Sequence, residues 1–138
     1  ENGEPGRGHL LASSLINDPL ADAIRPLLEK DPLEGVYGHV NGPRFNTVTE
    51  INALRHVGVD MISQTCGPEA VLANELELPY TLVGFGVDYA NGVQSAPTPV
   101  EELDKNLASA QETFLTLVRE LREPEDGFPF QNFVYRFD

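Results

Sequence analysis

Three short segments carry the side chains best suited to chemistry. They are Gly42-Pro43-Arg44-Phe45-Asn46-Thr47, then Ser63-Gln64-Thr65-Cys66-Gly67-Pro68-Glu69, then Val87-Asp88-Tyr89-Ala90-Asn91-Gly92. Each falls where a strand should hand over to a loop or helix, the place where α/β proteins gather the polar groups that touch a ligand. Thr65 follows an apolar stretch and precedes a helix start near Pro68. A hydroxyl there, beside free N–H groups and the positive end of a helix dipole, can hold an anion or can cap the helix. Pro68 brings no N–H and Glu69 is itself negative, and both work against an anion. Asp88 closes the most apolar run, where partial desolvation would suit it to pass a proton to a leaving group. Capping the turn Tyr89–Gly92 is the ordinary use of an Asp at such a place.

The neighbouring residues carry similar pairs of readings. Phe45, behind a stiff Gly-Pro-Arg corner, could offer its ring to a planar ligand or belong to the core. Arg44 could clamp an anion or pair with one of the many carboxylates. Cys66 beside a helix start could be a reactive thiolate, but no His or Asp is placed to serve it, and a small buried residue is the plainer use. His9, His39 and His56 show no triad spacing, and no Cys/His spacing points to a metal.

The elements that must position these groups follow from periodicity. Asn17-Asp18-Pro19 reads as a cap with Pro in the first helical turn. Leu20, Ile24, Leu27 and Leu28 form that helix's apolar face, and Pro26 should bend it. Val36–Val40 alternates like a strand, residues 47–57 like a helix bearing Ile51, Leu54 and Val57, with Gly58 as its stop. Val59–Ser63 reads as a short buried strand, and Pro68–Leu76 as a helix with Val71, Leu72 and Leu76 on one side. Tyr80–Val87 is the most apolar strand and should be central in its sheet. The longest helix spans about 100–122, with Leu103, Leu107, Phe114, Leu117 and Leu121 in one stripe and Thr98 or its neighbour as the cap. Residues 1–8 read as a mobile lead-in, and the aromatic tail 123–138 should dock on this domain or on a partner. Alternating strands and helices make the fold class α/β, with helices on the faces of a sheet, in a single partial domain over 1–138.

Composition limits the function classes. A chain of 138 residues with 41% hydrophobic content is long enough for one domain with a core. No apolar run approaches the roughly 20 residues of a membrane span. Asp and Glu total 22 against 9 Lys and Arg, a net charge of -13. Such a field repels nucleic acid and anionic membranes, so neither is expected as a partner, and any phosphate site must be built locally. The single cysteine allows no intrachain disulfide and fits a reducing cytoplasm. The chain begins with Glu1 rather than Met, so we expect a processed or trimmed part of something longer.

The order of the motifs resembles one family. Gly-Pro-Arg-Phe at 42–45 is followed by Thr49-Glu50-Ile51-x-x-Leu54-Arg55-x-x-Gly58-x-Asp60. Next come Thr65-x-x-Pro68-Glu69-x-x-Leu72-Ala73-x-Glu75-Leu76 and Asp88-Tyr89. Residues 35–93 and the long helix are similar to the C-terminal half of the trimeric purine nucleoside phosphorylases, nearest to the methylthioadenosine phosphorylase branch. The resemblance implies the C-terminal half of that fold, a mixed central sheet flanked by helices. It implies cleavage of a purine nucleoside by inorganic phosphate, with no cofactor, giving free purine and a ribose 1-phosphate. Thr65 would hold phosphate, Gln64 would lie along the ribose, Phe45 would pack on the base and Asn46 would approach its edge. Asp88 would be the catalytic group at purine N7, and Val100 and Leu103 would line the 5′ end. His9 would match a residue that reaches into a neighbouring subunit's site.

Three departures stand out. Gln64 occupies a place where the family usually has Met, and Ala90 one where the 6-aminopurine branch usually has a second Asp. The family's N-terminal half, with its glycine-rich phosphate loop, is not in these 138 residues. We therefore expect a second polypeptide that carries that half, in a trimer of such pairs. The rival expectations are a non-catalytic partner of an active phosphorylase and a hydrolase acting on an unusual nucleoside.

Overall fold

The computed structural model describes residues 8–28 and 34–136. In chain order the elements are β1 (Gly8–Leu11), α1 (Asp18–Ile24), β2 (Tyr37–His39), α2 (Val48–His56), β3 (Met61–Ser63), α3 (Gly67–Glu75), α4 (Val100–Glu120) and β4 (Phe133–Arg136). The fold is mixed α/β, as the alternation of periods predicts, and it positions the site through two short ladders. β2 and β3 pair in parallel, with Gly38 opposite Ile62, and α2 is their crossover. β1 and β4 pair antiparallel, with His9 opposite Tyr135.

Local chemistry sets the helices. Asn17 Oδ1 accepts from the Leu20 N–H at 3.0 Å and caps α1. Pro26, lacking an N–H, turns the continuation into a 3-10 turn over Arg25–Leu27. At α2, Thr47 Oγ1 accepts from the Glu50 N–H at 3.3 Å while Glu50 Oε2 accepts from the Thr47 N–H at 2.7 Å, a reciprocal capping box. The helix stops at Gly58 as expected, where φ is +87°.

Four expectations fail in instructive ways. Tyr80–Val87 is not a strand. The Tyr80 carbonyl accepts from the Asn17 N–H at 2.6 Å, and the Val87 carbonyl from Asn106 Nδ2 at 3.1 Å. Between them no backbone group pairs with another among the described residues. The composition is that of a central strand, but a strand needs neighbours, and these residues supply none. β3 is shorter than expected and not buried, with Met61 and Ser63 exposed. On α3 the buried positions are Ala70 and Asn74, whereas Val71, Leu72 and Leu76 face outward. The first residue of α4 follows Pro99 with no side-chain cap, because the Thr98 hydroxyl donates to Asp88 instead.

The two ends of the chain meet in β1–β4, which the sequence reading did not contain. Gly8, expected in the lead-in, opens β1, and the tail docks on this domain through β4. Residues 1–7 of the lead-in and 137–138 of the tail lie outside the described residues. Buried amides reinforce the junction. Asn74, 2% exposed, donates to the carbonyls of Leu15 at 3.0 Å and Ala70 at 2.8 Å and accepts from Asn132 at 2.6 Å. Asn17 donates to the Pro129 carbonyl at 2.7 Å.

The apolar core is thin. Among the described residues it consists of Ile24, Ile51, Ala70, Ala110, Leu117 and Val134, and no large side chain is fully enclosed. The accessible surface is 10696 Å² for 15.1 kDa. A compact monomer of this mass exposes roughly 7,100 Å².

Candidate functional site

The three segments singled out in the sequence are joined by side-chain amides. Gln64 Nε2 donates to the Arg44 carbonyl at 3.0 Å, and Asn91 Nδ2 donates to the Asn46 carbonyl at 2.8 Å. Residues 42–47 are thus held from the end of β3 on one side and from the 88–92 turn on the other. Gly42 permits the approach: a Cβ there would stand 2.3 Å from Gln64 Oε1. Gly92, at φ +81°, lies against Val48 so closely that a Cβ would meet its Cγ1 at 2.6 Å.

Within the clasped loop, Arg44 and Glu50 form a two-pronged ion pair at 2.9 and 2.7 Å. Arg44 is therefore committed to a carboxylate, the second of its two readings. The guanidinium, with the Thr47 N–H next, lowers the Glu50 carboxyl to about 2. Phe45 is 85% exposed, which rules out a place in the core and leaves its ring facing outward. Asn46 is half-buried, and its carbonyl is the one that Asn91 holds.

Thr65 sits among hydroxyls at the start of α3. Its Oγ1 lies 3.2 Å from Ser63 Oγ and accepts from the Cys66 thiol at 3.5 Å. Its carbonyl accepts from the Tyr37 hydroxyl and lies 3.3 Å from His39 Nδ1. Thr65 does not cap α3. The residue at the cap is Cys66, half-buried and left-handed at φ +70°, and its side chain makes no capping hydrogen bond. The sequence reading gave no role to Tyr37 or Ser63. The signal was there: Tyr37 and His39 alternate on β2, and His39 is in register with Ser63 on β3. Tyr80 reaches the Cys66 carbonyl at 3.4 Å, and its phenol is pushed up to about 12, chiefly by burial.

Asp88 is exposed, so the desolvated carboxyl expected at a strand end is not what these residues build. Its Oδ1 accepts from the Tyr89 N–H at 2.7 Å and from the Thr98 hydroxyl, which is the turn-capping reading. That second bond ties the 88–92 turn to the start of α4, where Val100 is exposed and Leu103 half-buried. The half-buried Ala90 accepts from the Val93 N–H at 3.1 Å. His9 lies in the other ladder, on β1. Among the described residues no group of three or more His, Cys, Asp or Glu could hold a metal, and no helix is long and apolar enough to cross a membrane.

Residues 42–47, 63–66 and 88–91 are linked by the two amide bonds from Gln64 and Asn91 and leave exposed surface at Phe45, Asp88 and Thr65, an aromatic ring, a carboxylate and a hydroxyl beside a helix start. Such a surface can stack a planar heterocycle, exchange a proton or hydrogen bond at its edge, and contact one side of an anion.

Comparison with known proteins gives a match between residues 14–123 and the family model described as the Phosphorylase superfamily. A probable S-methyl-5'-thioinosine phosphorylase from Thermodesulfovibrio yellowstonii is 36% identical over 81 residues, 59% of this chain and 31% of the relative. A probable 6-oxopurine nucleoside phosphorylase from Moorella thermoacetica is 42% identical over 69 residues, 50% of this chain and 26% of the relative. The S-methyl-5'-thioadenosine phosphorylase of Caenorhabditis briggsae is 27% identical over 128 residues, 87% of this chain and 45% of the relative. The chain spans less than half the length of each of these relatives.

Proposed function

The chain belongs to the phosphorylase superfamily, and from that premise we propose that it forms the base, ribose and part of the phosphate site of a purine nucleoside phosphorylase. The observation that carries this reading is the clasp that joins the three segments around an exposed Phe45. Phosphate oxygen would form a bond to C1′ while the C1′–N9 bond breaks, and the bonding pair would leave with the purine. Phe45 would stack on the base with Asn46 at its edge. Asp88 would meet N7 through Oδ2, since Oδ1 is taken by Tyr89 and Thr98. Thr65 would contact phosphate, and Gln64 lies at the ribose position. Val100 and Leu103 would face the 5′ group. Ala90 offers no hydrogen bond to an exocyclic amine, so both 6-amino and 6-oxo purines remain within the substrate class, with methylthioadenosine and methylthioinosine as leading candidates.

The reading includes a completing polypeptide. Thr81–Gly86 is an apolar segment without strand neighbours among the described residues, and Leu78, Phe85, Tyr89 and Val93 in and beside it in sequence are exposed. A polypeptide bearing the remaining sheet would cover that surface and complete the phosphate cradle, in a trimer of such pairs located in a reducing cytoplasm. His9 would then reach towards the site of a neighbouring subunit. The test is phosphate-dependent release of purine from methylthioadenosine, methylthioinosine, adenosine and inosine, assayed with the completing half present. Purine together with a sugar 1-phosphate is expected. No turnover of any substrate by a folded, complemented assembly would refute the reading.

One observation favours a second reading. The capping bonds of Asp88 would equally suit a non-catalytic subunit that supports an active paralogue. In that case Asp88→Asn would leave the turnover of the assembly unchanged, whereas the phosphorylase reading expects a fall of about a hundredfold or more.

A further inference from the structure

We propose that Gln64 and Asn91 are positioning residues that hold Phe45 as a rigid platform, and that Gln64 acts on the base through this loop rather than on the sugar by packing. This deepens the functional reading above and rests on Phe45 being the surface that meets the base.

The residues on either side of Phe45, Arg44 and Asn46, each present a backbone carbonyl. Each accepts a hydrogen bond from a side-chain amide belonging to a different segment, Gln64 at 3.0 Å and Asn91 at 2.8 Å. The loop is therefore pinned immediately before and immediately after the ring. Its base is fixed as well, by the two-pronged Arg44–Glu50 pair and the capping box of α2. Yet the ring itself is 85% exposed. A ring held on both sides and open to solvent is a face on which a planar ligand can stack. Tethering it beforehand removes the ordering cost from the binding step.

Gln64 is suited to this task by its amide. Its N–H donates to the Arg44 carbonyl, and its other end packs over Gly42, where any side chain would collide with Oε1. A thioether has no N–H and could not make the bond. Substitution to methionine therefore separates the two uses of the position. If Gln64 served the sugar by packing, Met would be an adequate replacement. If it serves the loop, Met is equivalent to removing the bond.

The experiment has two arms. In the first, the full 138-residue chain is labelled with 4-fluorophenylalanine, and the Phe45 signal is assigned by its loss in Phe45→Leu. Gln64→Met and Asn91→Ala are each expected to shift and narrow that fluorine signal. In the second, the same variants are assayed in the complemented assembly. Each is expected to raise the KM for nucleoside roughly three- to tenfold, as loss of one hydrogen bond to the loop implies, with the KM for phosphate unchanged. A Phe45 signal that neither substitution moves overturns the proposal, whatever the assembly does. So does a Gln64→Met variant that keeps its nucleoside KM. A signal that responds in an assembly whose unsubstituted form is inactive supports the clasp and removes only the functional reading.

Discussion

Residues 42–57 and residues 80–87 are two ways of meeting the same demand. Both segments must satisfy their backbone and anchor an aromatic ring, Phe45 in the first and Phe85 in the second. The first does so with polar side chains from its surroundings: Glu50 closes the capping box, Arg44 pairs with Glu50, and Gln64 and Asn91 hold the carbonyls around Phe45. Among the described residues the second has backbone hydrogen bonds only at its ends, from Asn17 at Tyr80 and from Asn106 at Val87, with Phe85 edge-on to Phe114 at 5.7 Å. The difference shows what short-range polar chemistry can fix alone and what waits for a sheet. A ligand-binding loop can be ordered in advance, whereas a central strand is completed by its neighbours.

The largest predicted effect strikes the anchor below the second region. Asn74→Ala removes the bonds donated to Leu15 and Ala70 and takes from Asn132 one of its two acceptors, leaving it the Ser14 carbonyl, in a site where Asn74 is 2% exposed. We expect a loss of about 3 kcal/mol, read from urea unfolding, because buried groups lose their partners. A change too small to measure would mean that β1–β4 and the bonds from Asn17 and to Ser14 hold the tail without Asn74. Phe45→Ala should act oppositely. Stability should stay within about 0.5 kcal/mol for an exposed ring, while affinity for purine falls about tenfold, measured by titration calorimetry, through lost stacking.

The smallest effect concerns acid. Glu50 is lowered from 4.5 to about 2 in the folded chain, first by Arg44 and next by the Thr47 N–H. A depressed carboxyl stabilises the fold above its unfolded value, and that contribution disappears as pH falls from 4.5 towards 2. Glu50→Gln should flatten this part of the melting-temperature profile and leave the profile above pH 5 unchanged in slope.

Much of the first region was legible in the sequence. Asn17-Asp18-Pro19 announces α1, and the Thr47–Glu50 spacing is a capping box that the periodicity reading passed over. The order of the motifs places the three site segments together before any geometry is known. Phe45 was ambiguous by residue type, because an aromatic after a rigid corner serves core and ligand equally well. The second region misled because an apolar run reports what a segment needs, not what lies beside it. β1–β4 escaped notice because its partners are more than 120 residues apart and neither strand alternates clearly. On α3 periodicity points to the larger residues as the inner face, but Asn74 is inside because it bonds two other segments, at Leu15 and Asn132, as well as its own helix, which periodicity does not record.

The central claim is that Thr81–Gly86 becomes a strand only when the rest of the phosphorylase fold is added, while the Phe45 loop and α2 are already formed. Hydrogen exchange, resolved by residue with and without the completing polypeptide, measures this directly. The account predicts fast exchange for Thr81–Gly86 in the chain alone, slowed about a hundredfold or more on addition, with the amides of Ile51–Val57 protected in both states. Strong protection of Thr81–Gly86 in the isolated chain, or none in an assembly that releases purine, would contradict it.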